Sequence, residues 1–198
     1  MNASLERECG EKLDEVATAI AACQQCPLYE QRTLTVPGYG NPMADIVFIG
    51  EGPGKSEDEQ GVPFVGRAGK LLSELLESIS LTREDVYITN VVKCRPPENR
   101  DPEPEEARLC FGFLKKQLEI IQPKVIVNLG RHSMDRFLPG LKISEAHGTA
   151  KRRTIEGLGT YVFYPIYHPA AALYNPNLKS VLLEDIQKIP KLLKKLEQ

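Results

Sequence analysis

Three polar side chains sit at or near strand ends. Glu51 follows the apolar run Asp45-Ile-Val-Phe-Ile49, Asn90 lies in the strand-like run Val86–Val92, and His168 follows Gly159–Tyr167. A carboxylate can orient water or face a developing cation. An amide donates and accepts side by side, which matches the edge of a pyrimidine. An imidazole can hydrogen-bond a leaving group that gains negative charge. Phe64, between Pro63 and Val65, offers a flat surface for stacking a ring. Each has a plainer alternative: Asn90 bonding a neighbouring loop, His168 before Pro169 capping a turn, Phe64 buried in the core. Together they suit a planar, hydrogen-bonding substrate such as a nucleobase. His132 and His147 have no comparable placement and read as structural.

The stretch around Glu51, Gly50-Glu-Gly-Pro-Gly54, is glycine-rich and comes between a strand and an amphipathic segment ending near Leu72. Its glycines let backbone approach a ligand closely, and Pro53 stiffens the turn so that neighbouring amides stay exposed. No Gly-Lys-Ser/Thr follows at P-loop spacing, and no helix opens directly behind a G-x-G-x-x-G. An ordinary strand-to-helix loop is the plain alternative.

Five cysteines form a second constellation. Cys23-x-x-Cys26 ends the first helical segment, Cys94 follows the Asn90 strand, and Cys110 lies in a later helix. Four thiolates could hold tetrahedral zinc or an iron-sulfur cluster, and spacing alone does not choose between them or exclude buried thiols. Cys9 falls on the apolar face of the first helix and reads as core. The odd count and the polar N-terminus, which lacks signal-peptide character, point to a reducing, cytoplasmic setting without disulfides. No run is apolar enough to span a membrane, so no membrane partner is expected.

The elements that must position these groups alternate in type. Helical periodicity covers Leu5–Ala22, Glu105–Ile121, Arg131–Leu138 and the C-terminal stretch from about Leu178, interrupted at Pro190. Lys124–Gly130 reads as a buried strand, in addition to the three strands above. Arg95–Pro104 reads as a stiff, proline-rich strap, and Ala146–Thr154 as a basic loop. This alternation predicts an α/β fold: a three-layer αβα arrangement with a central four-stranded, mostly parallel sheet. The length suits one domain, residues 1–198, with residues 1–26 an N-terminal helix leading into the cysteine site. The net charge of −2 means that any contact with nucleic acid must come from a local basic patch.

Several motifs now occur jointly. They are Gly50-Glu-Gly-Pro-Gly54, Gly61-Val-Pro-Phe-Val-Gly-Arg-Ala-Gly69, Asn90 with Lys93-Cys-Arg-Pro-Pro97, His168-Pro-Ala170, Cys23-x-x-Cys26 and Cys110. In combination they resemble the family 4 uracil-DNA glycosylases, the thermostable-type, iron-sulfur members of the uracil-DNA glycosylase superfamily. The resemblance runs from about Cys23 to Asn177 and its motifs are highly specific in combination.

The resemblance implies a DNA repair enzyme that flips uracil from single- or double-stranded DNA and hydrolyses its N-glycosidic bond, acting as a monomer. It implies a structural [4Fe-4S] cluster on Cys23, Cys26, Cys94 and Cys110. By the same resemblance Phe64 stacks on the base, Asn90 reads its edge, Gly52 and Pro53 contact it, and His168 binds O2 and stabilises the leaving anion. Glu51 is expected to position groups or to support the cationic sugar. Gly54 stands where other members carry a methyl-blocking tyrosine, and Glu57 would exclude thymine instead. A methyl group is otherwise worth only about 1–3 kcal/mol in a pocket. Ala172 occupies the place of an expected leucine wedge, leaving Leu173 or Tyr174 to fill the gap in the DNA, while Lys151, Arg152 and Arg153 are candidate phosphate contacts.

Two competing readings remain. One is a superfamily member that captures uracil covalently; that group carries a histidine in the loop after the Asn90 strand, and Arg95–Pro104 contains none. The other is a non-catalytic iron-sulfur nucleotide-binding module.

Overall fold

The computed structural model describes residues 3–197; Met1, Asn2 and Gln198, included in the expected 1–198 domain, lie outside the described residues. A sheet of six strands, in spatial order β1-β3-β2-β4-β6-β5, forms the middle layer. These are β1 (Tyr39–Gly40), β2 (Ile46–Gly50), β3 (Tyr87–Asn90), β4 (Val125–Leu129), β5 (Lys151–Ile155) and β6 (Gly159–Ile166). The inner four, β3, β2, β4 and β6, are parallel. They are the four strands that the sequence predicts, and β2, β3 and β4 are buried throughout. Such continuous apolar runs are what a sheet covered on both faces requires.

The two additional strands pair antiparallel at the edges. The expected basic loop at Ala146–Thr154 is therefore corrected in part: Lys151–Ile155 is the outer strand of a hairpin with β6. Its middle residues are exposed, so no alternating apolar signal marks it. Charged edge strands of this kind resist pairing with another molecule. Gly157 in the middle of the turn and Gly159 at the start of β6, both at positive φ, are the legible hairpin signal.

Neighbouring residues of β2 face opposite sides of the sheet. Val47 and Ile49 pack with Leu13, Leu114, Leu118, Met134 and Phe137, from helices α1 (Ala3–Ala21), α4 (Pro104–Ile121) and α5 (Arg131–Phe137). Ile46 and Phe48 pack with Leu72, Leu76, Leu182 and Ile186. Those side chains come from α3 (Arg67–Glu77) and α8 (Asn177–Gln187). The three-layer αβα reading holds. Short helices α2 (Lys55–Gln60), α6 (Ile143–Ala146) and α7 (Pro169–Tyr174) and the terminal α9 (Ile189–Leu196) complete the α-helices among the described residues, and 3-10 turns lie at Pro27–Tyr29 and Pro97–Asn99. What looks from sequence like the loop after His168 is α7, with Pro169 at its first turn.

The chain moves from β2 to β3 on one side and then returns to place β4 on the other. The carboxyl end of β2, where Gly50 leads into Glu51, is thus a topological switch point, the usual place for a ligand cleft in an open α/β sheet.

Candidate active site

At that switch point lies a cleft of about 460 Å³, lined by Glu51, Pro53, Glu57, Phe64, Asn90 and His168 among others. The expected base-contacting residues, Gly52 included, thus share one cavity. The strap at Arg95–Pro104 forms the outer wall through Pro96, Asn99, Arg100, Asp101 and Pro102, and Tyr174 lies at the rim. Two hydrogen bonds from Arg100 to Glu106, at 2.6 and 2.9 Å, anchor the strap to the first turn of α4. Glu106 also accepts from the Glu103 amide in a capping box.

Phe64 is held in a left-handed backbone conformation, φ 55°, which a bulky side chain rarely adopts. Arg83 fixes the turn by donating to the carbonyls of Pro63 at 2.6 Å and Phe64 at 2.8 Å. Gly69 lets α3 approach this turn, since a Cβ there would strike the Phe64 backbone. Gly50 is required for a similar reason: a Cβ would collide with Asn90 and come 2.8 Å from the Phe64 ring. The glycines of both motifs therefore serve close approach between cleft parts.

Glu57 does two things. Its Oε1 accepts from the amides of Val65 and Gly66, each at 3.0 Å, at the start of α3, where the N-cap Gly66 has no side chain of its own. The carboxylate also faces the cleft, with Oε2 beside Gly54.

Asn90 is 2% exposed, and its Oδ1 is buried without a hydrogen-bond partner. A buried polar atom left unpaired costs roughly 1–3 kcal/mol, so this one is held ready for a donor. Beneath it, Lys93 donates to the Asn90 carbonyl at 2.8 Å, to Thr89 Oγ1 at 2.6 Å and to Gln117 Oε1 at 2.7 Å. Burial pushes the Lys93 ammonium down to about 7, with the Cys110 sulfur pulling the other way.

His168 caps its own helix: Nδ1 accepts from the Ala170 amide at 3.1 Å, which leaves the proton on Nε2. Burial draws its pKa down to about 4, against Glu57, which raises it, and with His132, which lowers it further. The imidazole is therefore a neutral donor at physiological pH. Its ring stacks on Phe64, with centroids 5.5 Å apart and planes 28° from parallel.

Two groups that the sequence reading left out join the site. His132, read as structural, lies in the first turn of α5 with Nε2 3.1 Å from Asp101 Oδ2 and 3.8 Å from Glu51 Oε2. Ligand atoms of Glu51, Asp101 and His132 all lie within 4.8 Å of one another. Burial and then the neighbouring Asp101 push Glu51 up to about 7, while Arg131 opposes the shift. His147, by contrast, sits outside the cleft, with Nδ1 2.7 Å from the buried Asp185.

The expected DNA contacts are placed unevenly. Ala172 is buried, whereas Leu173 is 37% and Tyr174 84% exposed. Lys151, Arg152 and Arg153 do not line the cleft but run along the β5 edge. Lys151 is paired with Phe163 toward the cleft end of β6, and the next two residues lead away from it.

Cys23, Cys26, Cys94 and Cys110 line a separate cavity with Ile20, Leu109 and Phe113. Arg32 reaches into it, donating to Cys94 Sγ at 3.2 Å and to the Cys23 carbonyl at 2.9 Å. Burial raises the thiols of Cys26 and Cys94 and pushes that of Cys110 up to about 11. Cys9 is buried apart from them, as expected of a core residue.

No described helix is long and apolar enough to cross a membrane. The profile of the uracil DNA glycosylase superfamily matches residues 37–189, which include every cleft residue named above. A type-4 uracil-DNA glycosylase of Archaeoglobus fulgidus is 50% identical over 189 residues, covering 92% of this chain and 94% of that protein. Type-4 uracil-DNA glycosylases of Saccharolobus solfataricus and Thermotoga maritima are 48% and 47% identical, covering 90% and 93% of this chain and 85% and 96% of theirs. The chain belongs to the uracil-DNA glycosylase superfamily and, within it, to the type-4 uracil-DNA glycosylases, hydrolases of DNA repair.

Proposed function

We propose that the cleft receives a uracil flipped out of single- or double-stranded DNA, that Asn90 and His168 recognise it, and that the protein works as a monomeric single domain releasing free uracil. The observation that carries this reading is the buried, unpartnered Oδ1 of Asn90 at the wall of the cleft. Uracil presents N3–H to such an acceptor, while its O4 can accept from the same amide group.

Cleavage of the N-glycosidic bond leaves the bonding pair on the base, with negative charge spread over N1 and O2, and positive charge on the sugar. A neutral His168 with its proton on Nε2 donates to O2 as that charge grows, and the fixed Nδ1 contact keeps the ring oriented. Such preorganised donors are each worth about 2.7–4 kcal/mol. Phe64 supplies the stacking face, the Gly52 amide and Pro53 close over the base, and Glu51 supports the sugar side. Glu57, already fixed by two amides, cannot retreat from a methyl group at C5 and so refuses thymine. Tyr174, with Leu173, enters the duplex where the base has left, and Lys151, Arg152 and Arg153 meet phosphates.

The four cysteines fit an iron-sulfur cluster. They line one cavity, which supports a single inorganic group shared by all four thiolates. Burial pushes the Cys110 thiol up to about 11, so it ionises only against a strong positive charge, which iron supplies, and Arg32 adds a donor to Cys94. A [4Fe-4S] cluster on Cys23, Cys26, Cys94 and Cys110 would tie the end of α1 to α4 and to the segment after β3. Its role is structural.

The test is product analysis on labelled uracil-containing duplex and single strand. Free uracil with an abasic site supports the proposal. A protein–DNA adduct that survives denaturation supports the covalent-capture alternative, and no release from either substrate supports a binding module.

A further inference from the structure

Glu51, Asp101 and His132 reach one point from three elements: the end of β2, the strap and the first turn of α5. Asp101 has a 59% exposed side chain, yet it does not point away into water. His132 Nε2 and Arg131 Nη2 each lie 3.1 Å from its Oδ2 and hold it facing Glu51. The strap cannot drift either, because Arg100 is doubly bonded to Glu106. Two carboxylates are thus kept together at the cleft wall by flanking cations and hydrogen-bond donors. Nothing in the recognition of uracil requires this, since Glu51, Asp101 and His132 are not among the base-contacting groups proposed above.

We propose that Asp101 and His132 are positioning residues that make Glu51 the base for the attacking water. This rests on the reading of the cleft as a uracil-excising site. As the C1′–N1 bond breaks, its electron pair stays on the uracil, water oxygen bonds to C1′, and the water proton passes to the Glu51 carboxylate. From there it passes to Asp101, whose exposed side opens to solvent, and solvent protonates the departing uracil anion. Atoms and charge balance without any other reactant.

An isolated carboxylate is a weak base for water. A like charge held beside it raises its proton affinity toward the working pH, which is where general-base catalysis is most effective. The groups that face Glu51 divide by sign. Glu57 from α2 and Asp101 from the strap are acidic; Arg100 from the strap and Arg131 from α5 are basic; His132 and His168 are imidazoles, with Tyr174 from α7 at the rim. Burial and Asp101 dominate this set in raising Glu51, and Arg131 offsets part of it.

The base must be ionised to act, so the rate falls as pH drops through the Glu51 pKa. Removing the Asp101 charge lowers that pKa and moves the acid limb to lower pH. The experiment is the single-turnover rate of uracil release from a U:G duplex across about pH 5 to about pH 9. It compares wild type, Asp101→Asn, His132→Gln and Glu51→Gln, with thermal melts to show that each variant is folded. Wild type should have an acid limb centred near 7. Asp101→Asn should move it down by about one pH unit or more with a lower plateau, and His132→Gln should move it less in the same direction. Glu51→Gln should remove the limb. An unmoved limb in folded Asp101→Asn, or a limb that survives Glu51→Gln, would overturn the inference. Failure of wild type to release uracil at any pH would instead overturn the underlying reading of the cleft.

Discussion

Lys93 Nζ donates to the main-chain carbonyl of Asn90 at 2.8 Å from beneath the cleft, while the next residue, Cys94, lines the cysteine cavity. One four-residue step of chain therefore joins the group proposed to read the base to a ligand of the proposed cluster.

Replacing Lys93 with Met would leave Gln117 Oε1, Thr89 Oγ1 and the Asn90 carbonyl without their shared donor. The expected loss is about 1–3 kcal/mol of stability, measured by urea denaturation. A fall in uracil release beyond the unfolded fraction should accompany it, because Asn90 loses its support.

Glu57→Ala should open the cleft to thymine, seen as release from a T:G mismatch. It should also cost about 1 kcal/mol, since the Val65 and Gly66 amides lose their acceptor at the start of α3. Glu57→Gln retains a carbonyl oxygen for those amides and the bulk at the cleft, so it should keep both stability and selectivity. Thymine release by Glu57→Gln alone would contradict the steric account.

His168 has a folded pKa near 4, below its ordinary value of about 6.5, so the folded protein binds fewer protons than the unfolded chain between those values. Its contribution to stability is complete above about pH 6.5 and is lost as pH falls toward 4. Urea midpoints at about pH 7 and about pH 5 should therefore converge more in His168→Gln than in wild type.

Cys110→Ser should abolish visible absorbance and lower the thermal midpoint by about 10 °C, the scale expected for losing several kcal/mol in a chain of this size. Cys9→Ser should retain the absorbance, because Cys9 lies outside the cavity that holds the other four. Colour retained in Cys110→Ser would remove Cys110 from the ligand set.

The inner sheet was legible because β2, β3, β4 and β6 carry apolar runs with helical periodicity between them. Asn90 and His168 could be placed in one cleft because a parallel sheet brings strand ends to one edge. Asp101 escaped because it stands in the strap, and His132, although it follows the carboxyl end of β4, escaped because only the packing of the strap against α5 brings the two to Glu51. Lys93 escaped because local sequence does not reveal a lysine that is 1% exposed. The β5 edge strand escaped because its three middle residues are exposed and only Ile155 packs on the core.

The most direct test of the central claim is uracil release from a labelled U:G duplex by wild type beside Asn90→Ala and His168→Ala under single-turnover conditions. Free uracil from wild type, with each variant slower by about 10²–10³, is the predicted result. Variants that match wild type while remaining folded would contradict the assignment of Asn90 and His168 as the groups that recognise the base and stabilise its departure.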